Sequence, residues 1–573
     1  MPQNLLNLPD YLYYSWQISE GYQWAMGFPT PSEPLWKALV ILAVYATYGC
    51  YHLFTQPHRS RAVANTLLLC AFIFLQWKHG FTRPDGHMLG FFFCALLPLT
   101  AYPALLEDTG RLRRLHRWVF LGAMGLSLWG MENTIPGCVR YSVATVQAKV
   151  RANFQAAFHW AETTEHYREL LATARRQNSL PLVREIVGRA TVDVLGYEQG
   201  VALFNDFNYQ PRPVIQSYCT FMPSLVKLNG DFFASEKAPQ FVLLKVESID
   251  GRLPALDDAR VLLLLAHRYQ FLRWEKGYTL WKRTPDPFDP AAVEPKPLRT
   301  ARLAINQVLP IEDLAAQQLW LKLNLPPSML GQLRRFFYKL PQVRLSIEDT
   351  AGHEHDYVLP LPQGESGFIV NPLIENQEDY WRFAFNRPEK RARSLTLIIA
   401  PEDAKYFAPQ AQVEISALPV SRIGANTVLE LNEDKFPMFQ TYPTDFYSHS
   451  GLSVERIDDR DAAILHSPSR VVFALPAGAS TISGMFGFLP AAYLNGGSTD
   501  GAQFLIFWTD GTKRIDIYTK YLNPRFHPED RGLQAFSVNV ESYSGGHLHL
   551  EINPGPNNNA SWDWAGWTNI LIK

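Results

Sequence analysis

The segment ALVILAVYATYGCYHLF, Ala38 to Phe54, is the first of four apolar stretches that fill most of residues 1–135. The other three are Ala62 to Trp77, Met88 to Leu106 and Trp118 to Ile135. Each approaches the roughly 17 to 25 residues that a helix needs to cross about 30 Å of hydrocarbon. The sequence therefore predicts a transmembrane anchor of about four helices over residues 1–135.

Basic residues are distributed unevenly between the loops that join these stretches. The first and third loops carry Arg59, Arg61, Arg111, Arg113, Arg114 and Arg117, and the opposite side carries Lys37, Lys78, Arg83 and Arg140. Because basic loops tend to stay cytoplasmic, this bias predicts that both termini and the large C-terminal part are extracytoplasmic. If the fourth stretch is a buried or re-entrant helix, the C-terminal part is cytoplasmic instead.

The N-terminus lacks the basic region and short apolar core of a cleavable signal peptide. Tyr11 to Phe28 is rich in Tyr and Trp, whose amphipathic rings favour the headgroup level of a membrane, so we predict an interfacial helix there. The net charge of −1 gives no indication of nucleic-acid binding. Cys138 and Cys219 could form a disulfide in an oxidising compartment.

Residues 136–284 are predicted to form a long helix followed by an α/β domain. Tyr141 to Gln177 contains no Pro or Gly and predicts one continuous helix. After it, the predicted strands are Thr191 to Leu195, Gln240 to Val246 and Tyr278 to Trp281, and the predicted helices are Glu198 to Asp206, Pro223 to Phe233 and Asp257 to His267. His159, Glu162 and His166 on the long helix could bind a metal, but a solvated helix face is the favoured interpretation.

Polar loops connect the elements of the predicted α/β domain. Such loops often bind ligands, although Asp-Gly is also an ordinary turn signal. The candidate ligand residues in these loops are Glu198, Gln216, Tyr218, Asp250 and Arg252.

The rest of the chain has the patterns of β-structure. Thr284 to Pro297 is rich in proline and predicts an extended linker. In residues 298–420 the predicted strands of a β-sandwich are Leu319 to Leu323, Val343 to Ile347, Tyr380 to Phe385 and Leu395 to Ile399. Residues 421–573 alternate more regularly and predict a second, jelly-roll-like sandwich, in which Leu548, Leu550 and Ile552 face the core. His547 and His549 share the other face, where solvent exposure is favoured over a metal site.

Three segments of the last 91 residues resemble the NPCBM family of carbohydrate-binding modules. They are SGMFGFLP at Ser483 to Pro490, FLIFWTDGTK at Phe504 to Lys513, and SWDWAGWTNILI at Ser561 to Ile572, which matches the terminal signature of the family. The resemblance implies an antiparallel sandwich that binds glycan. The candidate carbohydrate-binding residues that the resemblance implies are Trp508, Trp562, Asp563, Trp564 and Trp567.

Tryptophan is the residue type that stacks well against the C–H faces of sugar rings. If the terminal segment is extended, Trp562 and Trp564 share one face, and Asp563 and Trp567 share the other. The tryptophans then cannot all point inward. We expect at least one exposed tryptophan, with the others in structural roles.

The middle of the chain, from Thr191 to Arg283, is similar to the extracytoplasmic region of bacterial GT-C type glycosyltransferases, which transfer sugars from lipid-phosphate carriers. In those enzymes a catalytic acid lies in the first extracytoplasmic loop of a larger helical bundle. The corresponding segment here contains only Asp10, Glu20 and Glu33, without an Asp-x-Asp pair. We therefore predict no catalytic residue, and also no metal and no cofactor, because the common nucleophile, phosphate-loop and zinc motifs are absent.

The leading hypothesis is a non-catalytic, multi-pass protein of the bacterial inner membrane with an extracytoplasmic glycan-binding module. Its expected partners are a glycan or polysaccharide, the lipid bilayer and a membrane enzyme of glycan assembly, with no nucleic acid. One alternative is a shortened or split GT-C glycosyltransferase. A further alternative is a structural scaffold whose sandwiches dock other proteins.

Overall fold

The computed structural model describes residues 5–55, 59–105, 110–388, 390–420, 436–448, 452–494, 496–510, 513–543 and 545–573. Its N-terminal third is helical. The helices are α1 Leu8–Ala25, α2 Ser32–Thr55, α3 Arg59–Thr82, α4 His87–Leu105, α5 Gly110–Thr134, α6 Cys138–Phe158, α7 Trp160–Gln177 and α8 Pro181–Val187.

Helices α2 to α5 contain the four apolar stretches and pack into a bundle. The Tyr45 hydroxyl donates to the Ala95 carbonyl at 2.5 Å, which joins α2 to α4. The Ser127 hydroxyl donates to the Phe92 carbonyl at 2.6 Å, which joins α5 to α4. Arg59 and Arg61 lie at the start of α3, so they are at the opposite end of this helix from Arg83, which follows it.

The expectation of four membrane spans is corrected to two candidates. Among the described residues, only Ser32–Thr55 and Arg59–Thr82 are long and apolar enough to cross a membrane by length and composition. In α4, side chains are described only as far as Leu99, and the stretch His87–Leu99 is apolar but too short to be counted as a candidate. Helix α5 has the length, but Arg117 and Glu132 interrupt its apolar surface.

The predicted single helix from Tyr141 to Gln177 is also corrected, because α6 and α7 are separate. The break is at His159, whose backbone (φ −113°, ψ 47°) leaves the helical region. Neither helix has a buried residue among those described. Cys138 and Cys219 are both free thiols, so the disulfide considered from the sequence is not formed.

A five-stranded mixed sheet follows these helices. Its strands are β1 Thr191–Leu195, β2 Asn208–Tyr209, β3 Phe241–Leu244, β4 Tyr269–Glu275 and β5 Tyr278–Arg283, and its helices are α9 Gly200–Phe204, α10 Pro223–Ala234 and α11 Ala259–Arg268. The strand order is β2-β1-β3-β5-β4, parallel from β2 to β3 and antiparallel beyond. The three predicted strands and three predicted helices are confirmed in position, and β2 and β4 were not predicted.

The next eight strands form two four-stranded antiparallel sheets. They are β6 Lys296–Ala304, β7 Val308–Pro310, β8 Leu319–Asn324, β9 Arg344–Asp349, β10 Glu354–Val358, β11 Phe368–Asn371, β12 Ala392–Ile398 and β13 Gln410–Ala417, with the helices α12 Met329–Phe337, α13 Leu361–Ser366 and α14 Gln377–Ala384. The sheet orders β11-β8-β13-β6 and β10-β9-β12-β7 are those of an eight-stranded jelly roll. We call this unit the first roll.

Two expectations for this region are wrong. Tyr380 to Phe385, predicted as a strand, belongs to α14, because the Asn376 side chain caps that helix by accepting from the Asp379 amide at 3.0 Å. The predicted extended linker Thr284 to Pro297 contains regular structure instead. A 3₁₀ turn lies at Pro290–Val293, and the last two residues belong to β6.

The C-terminal strands repeat the same architecture. They are β14 Asp445–Ser448, β15 Leu452–Ile457, β16 Arg460–Leu465, β17 Ser469–Ala474, β18 Thr481–Phe488, β19 Ala502–Thr509, β20 Arg514–Leu522, β21 Gln534–Asn539, β22 His547–Pro554 and β23 Ala565–Ile572. Within the orders β14-β17-β22-β19-β20 and β15-β16-β23-β18-β21, strands β16 to β23 form a second jelly roll. Phe486 and Phe504 join the two sheets with ring centroids 4.4 Å apart. We call this unit the second roll.

The α/β domain and the first roll contact the bundle at the C-terminal end of α3, opposite to Arg59 and Arg61. Arg83, after α3, pairs with Asp250 of the α/β domain at 2.8 Å. The Lys339 ammonium, after α12 of the first roll, donates to the Thr82 carbonyl at 3.1 Å. Both soluble units are therefore held at one end of the helices.

Candidate functional site

Four loops of the second roll meet at one end of its sandwich. They are the connections β16–β17, β18–β19, β20–β21 and β22–β23, which the jelly-roll order brings to the same end. Hydrogen bonds join three of them. The Thr499 hydroxyl donates to Asp563 Oδ1 at 2.7 Å, and the Asn523 amide donates to the Asp500 carbonyl at 2.9 Å. The fourth loop is close by, because the rings of His466 and Trp564 are 6.0 Å apart. We call this end the loop end.

Trp562 and Trp564 form a pair of contacting rings at the loop end. Their centroids are 4.8 Å apart at an interplanar angle of 39°. Trp564 packs against a small apolar cluster that includes Ile457 and Leu489. Trp562 is 37% exposed, so one ring is supported from below while the other faces solvent.

The backbone at Trp562 is unusual for an aromatic residue. Its φ is +67°, in the left-handed region that bulky side chains rarely adopt. Trp562 is the third residue of a turn that the Asp563 amide closes by donating to the Ala560 carbonyl at 3.3 Å, a position where a positive φ occurs. Strain of this kind persists where the surrounding structure imposes it, and it concentrates at functional sites.

An exposed run of asparagines, Asn557 to Asn559, precedes this turn in the β22–β23 loop. The Asn557 amide donates to Asp500 Oδ2 at 2.9 Å. Asn559 Oδ1 accepts from the Ser561 amide at 3.0 Å. The run therefore places both donors and acceptors beside the exposed indole. The NNN run next to the tryptophan motif is the sequence signal that could have identified these residues.

Asp563 lies beneath the tryptophan pair and is fully buried. Burial raises the pKa of this carboxyl to about 7, against the hydrogen bond from Thr499, which favours the ionised form. Asp563 Oδ2, Asp500 Oδ1 and Asn523 Oδ1 find no donor among the described residues. Two carboxylates and an amide supply the oxygen ligands that hard cations prefer. No group of three or more His, Cys, Asp or Glu suited to a metal occurs in the described ranges.

The two other predicted tryptophans are in the core of the second roll. Trp567 is fully buried, with Phe486 and Phe504 both at 5.4 Å between ring centroids. Trp508 is 8% exposed and donates its indole N–H to the Gly545 carbonyl at 2.7 Å. These positions do not offer a ring face to a ligand. His549, on the outer face of β22, stacks on Phe507 at 4.5 Å, and desolvation lowers its pKa to about 4.

The five candidate residues of the α/β loops do not form one site. Glu198 follows β1 and pairs with Lys245, which follows β3, at 3.0 Å. Tyr278 also donates to the Glu198 carboxylate. Burial raises the pKa of Glu198, but the hydrogen bonds from Tyr278 and Lys245 outweigh it, and the net pKa is lowered. Lys245 and Tyr278 were not predicted, because the sequence does not show that β3 and β5 are neighbours.

The remaining candidate residues of these loops are used in structural contacts. The Tyr218 hydroxyl donates to Gln216 Oε1 at 2.9 Å. Asp250 makes the pair with Arg83 described above. Arg252 is buried and contacts Asp257 at 3.3 Å. These side chains hold the loops together and against the helices, and a ligand role for them remains a prediction.

A buried charge network that the sequence reasoning missed lies below these loops. Arg212 is fully buried between Asp193, at 3.0 Å, and Asp258, at 2.7 Å. It also donates to the Ser217 hydroxyl at 2.7 Å. The network ties strand β1 to the start of α11, which is a structural role.

No family model matches the sequence. A stretch of 76 residues is 34% identical to an uncharacterised protein of Archaeoglobus fulgidus and covers 13% of this chain and 19% of that protein. The matched stretch thus spans about a fifth of the length of this curated relative.

Solved structures similar to this chain are carbohydrate-binding modules. The CBM51-2 and INT domains of Clostridium perfringens ZmpB share 16% identity at a TM-score of 0.18, over 22% of this chain and 29% of that chain. The tandem CBM51 modules of a family 98 glycoside hydrolase from Streptococcus pneumoniae share 10% at 0.18, over 47% and 82%. The tandem CBM22 modules of Paenibacillus barcinonensis Xyn10C share 10% at 0.17, over 48% and 86%.

Proposed function

We propose that this protein is a membrane-anchored glycan-binding protein whose second roll binds carbohydrate at its loop end. The observation that carries the proposal is the exposed ring of Trp562, held over Trp564 in a left-handed backbone conformation. Trp562 keeps 37% of its surface exposed in a backbone conformation that bulky residues rarely adopt, which is the geometry expected of a ring that contacts a ligand.

The chemistry around Trp562 suits a sugar. A pyranose has C–H faces that pack on an indole and a rim of hydroxyls that both donate and accept. Polar groups of that kind are supplied by His466, whose ring is 6.0 Å from that of Trp564, and by the exposed asparagines at 557–559, which precede Trp562 in the same loop. Few polar groups around an aromatic platform are typical of small-ligand sites.

The proposed location is the outer side of the cytoplasmic membrane, in a role in envelope glycan assembly or recognition. The α/β domain and the first roll contact the bundle at the C-terminal end of α3, and Arg59 and Arg61 lie at the other end of this helix, which supports the orientation in which the basic end remains in the cytoplasm. A binding role beside a separate glycan-assembly enzyme is proposed in preference to catalysis by this chain.

The test is a screen of the full chain in nanodiscs against envelope polysaccharides and their oligosaccharides, followed by titration of each hit. We expect Trp562→Ala to weaken binding at least about tenfold, because the stacking surface is lost. Trp160→Ala is the matched control, since Trp160 is 73% exposed on α7, outside the loop end.

Equal loss in the Trp562→Ala and Trp160→Ala variants would mean that the signal is non-specific. Absence of binding to every glycan would contradict the proposal and favour the protein-docking scaffold. Release of sugar from a lipid-phosphate carrier by the purified chain would favour the glycosyltransferase alternative.

A further inference from the structure

Helix α12 of the first roll exposes an apolar face. Its sequence is MLGQLRRFF, and Met329, Leu333 and Phe336 are 90%, 57% and 63% exposed. Leu330 and Phe337 lie on the same side at 48% and 57%. Spacings of three and four residues place all five side chains on one face of the helix. The first roll thus presents a helix of the amphipathic kind.

The opposite side of α12 is fixed to its own roll. A Cβ added at Gly331 would lie 1.9 Å from the Tyr406 carbonyl, so the helix backbone rests directly on the 3₁₀ turn Pro401–Tyr406. Ser328 caps the helix by accepting from the Gly331 amide at 3.1 Å. The rotation of the helix, and hence the direction of its apolar face, is determined by this contact.

Helix α12 lies against α3, one of the two candidate membrane spans. The Trp77 indole donates to the Phe337 carbonyl at 2.6 Å, and the Lys78 ammonium donates to the Arg335 carbonyl at 2.9 Å. The rings of Phe74 and Phe336 are 5.7 Å apart. The apolar face of α12 is therefore continuous with the apolar surface of a span, near its C-terminal end.

We propose that α12 inserts its apolar face into the lipid bilayer as an interfacial helix, so that the first roll is seated in the membrane surface. The inference rests on the membrane anchorage proposed above. The partner is the lipid surface, and the five apolar side chains enter the outer leaflet beside α3.

A cleft between α12 and the spans supports lipid as the occupant. It measures about 590 Å³ and is lined by apolar side chains of α2, α3 and α12, among them Leu39, Leu69 and Phe74. Water in such a cleft would leave this surface exposed at a cost, whereas acyl chains fill it. Arg334 and Arg335 lie beside the apolar face and pair with Asp403 at 3.5 Å and Glu20 at 2.8 Å, so that the face has a polar, basic edge of the kind found on interfacial helices.

Helix α1 gives independent support for the same membrane level. It exposes Tyr11, Leu12 and Trp16, at 68%, 58% and 67%. Arg335 of α12 pairs with Glu20 of α1 at 2.8 Å. The helix predicted from its aromatic residues to be interfacial is thus joined to α12 by an ion pair at the polar edge of both.

The test places an environment-sensitive fluorescent amino acid at Met329 of the full chain, by codon suppression, in nanodiscs. The same probe is placed at two control positions in separate chains, and quenching by doxyl-labelled lipid and by aqueous iodide is compared at the three positions. Leu68, 71% exposed on α3, is the bilayer control, and Val308, 63% exposed on the first roll, is the aqueous control. We expect lipid quenching at Met329 and iodide quenching about fivefold weaker than at Val308, because interfacial helices bury this face below the headgroups.

Each other result overturns the proposal in a distinguishable way. If Met329 behaves as Val308 does while Leu68 is quenched by lipid, the anchor is correct and α12 is not inserted. If Met329 is shielded from both quenchers, a second copy or another protein covers the face. If iodide quenches Leu68, the membrane anchorage itself is wrong.

Discussion

At the residue scale, the left-handed backbone of Trp562 should lower the stability of the fold, whether or not its ring binds a ligand. Because φ is +67°, glycine should fit this position better than any residue with a Cβ. We expect Trp562→Gly to unfold with a free energy about 1 kcal/mol higher than Trp562→Ala, since both lose the ring but only alanine keeps the strain. Denaturant unfolding of the full chain in nanodiscs, followed by fluorescence, measures the difference.

Ala535 supplies the control for this comparison. It is exposed on β21 and has an ordinary strand conformation. There the order should reverse, with Ala535→Gly less stable than the parent by about 0.5–1 kcal/mol. If Trp562→Gly is no more stable than Trp562→Ala, the left-handed conformation carries no strain.

The buried carboxyl of Asp563 predicts a pH dependence of stability. Its pKa is about 7 in the folded chain, against an ordinary value of 3.8. Between these values the folded state holds the proton and the unfolded state has released it, so stability falls as pH rises from about 4 to 7 and is level above. We expect Asp563→Asn, which can still accept from Thr499, to remove this fall.

Unfolding of the second roll at pH 5, 6, 7 and 8 in the presence of a chelator measures this effect. Asp459→Asn is the control, because the Asp459 side chain is 98% exposed and should leave the profile unchanged. A profile that rises with pH in the parent chain would show that Asp563 is ionised and compensated.

Residue identities alone allowed part of this site to be predicted. The expectation of at least one exposed tryptophan agrees with Trp562. The alternation of Trp562 and Trp564 against Asp563 and Trp567 assumed an extended segment, but strand β23 begins only at Ala565 and Trp562 is left-handed. The burial of Asp563 therefore comes from the turn and the neighbouring loops, which no local pattern in the sequence indicates. The oxygens of Asp500 and Asn523 come from separate loops, which only the strand order brings to Asp563.

At the scale of elements, the contact of α12 with the turn Pro401–Tyr406 should reverse the usual effect of a Gly→Ala substitution on stability. Gly→Ala in a helix normally stabilises by about 1 kcal/mol. At Gly331 the new methyl would meet the Tyr406 carbonyl, so we expect Gly331→Ala to destabilise the first roll by about 1–3 kcal/mol. Thermal unfolding of the full chain in nanodiscs measures this loss.

Gly122 of α5 provides the matched control, since a Cβ there meets nothing within 4 Å. Gly122→Ala should be neutral or stabilising. A stabilised Gly331→Ala variant would show that α12 does not rest on the turn Pro401–Tyr406.

Elements with a strong local pattern were predicted correctly, and those set by a distant partner were not. Strand β1 matched its predicted bounds because its apolar run ends at Gly196. Tyr380 to Phe385 has the composition of a strand, but the cap at Asn376 directs it into a helix. No Pro or Gly lies at the helix break at His159, so the sequence does not indicate this break.

At the scale of the whole molecule, the pair Arg83–Asp250 joins the helical bundle to the α/β domain. The two side chains are 26% and 16% exposed, so solvent screens the pair only in part. We expect a double-mutant cycle with Arg83→Gln and Asp250→Asn to give a coupling free energy of about 1 kcal/mol. Thermal unfolding of the four chains in nanodiscs provides the cycle.

The exposed pair Arg456–Asp459 is the control, with side chains 66% and 98% exposed. Its cycle with Arg456→Gln and Asp459→Asn should give coupling near zero. Coupling of the same size for both pairs would mean that Arg83 and Asp250 do not hold the bundle to the domain.

At this scale, the sequence could not show that the candidate residues of the α/β loops make structural contacts. Asp250 and Arg83 are 167 positions apart, so no local pattern shows that the loop contacts the helices. Alternating strand and helix patterns predicted the α/β region, and repeated short strands predicted the two sandwiches. Neither pattern shows which loops face the bundle. The apolar residues of α5 outnumber Arg117 and Glu132 and predict a span, but the described part of this helix is not apolar enough to be a candidate.

The two rolls share one strand order, and this has a consequence for how the chain can change. In the first roll the loops at the equivalent end carry α12, α13 and the turn Pro401–Tyr406, and they are committed to the bundle and the α/β domain. In the second roll the same end carries the tryptophan pair and faces solvent. If the second roll binds glycan as proposed, attachment and recognition use separate copies of one scaffold, and the loops of the second copy can change without loosening the contacts of the first.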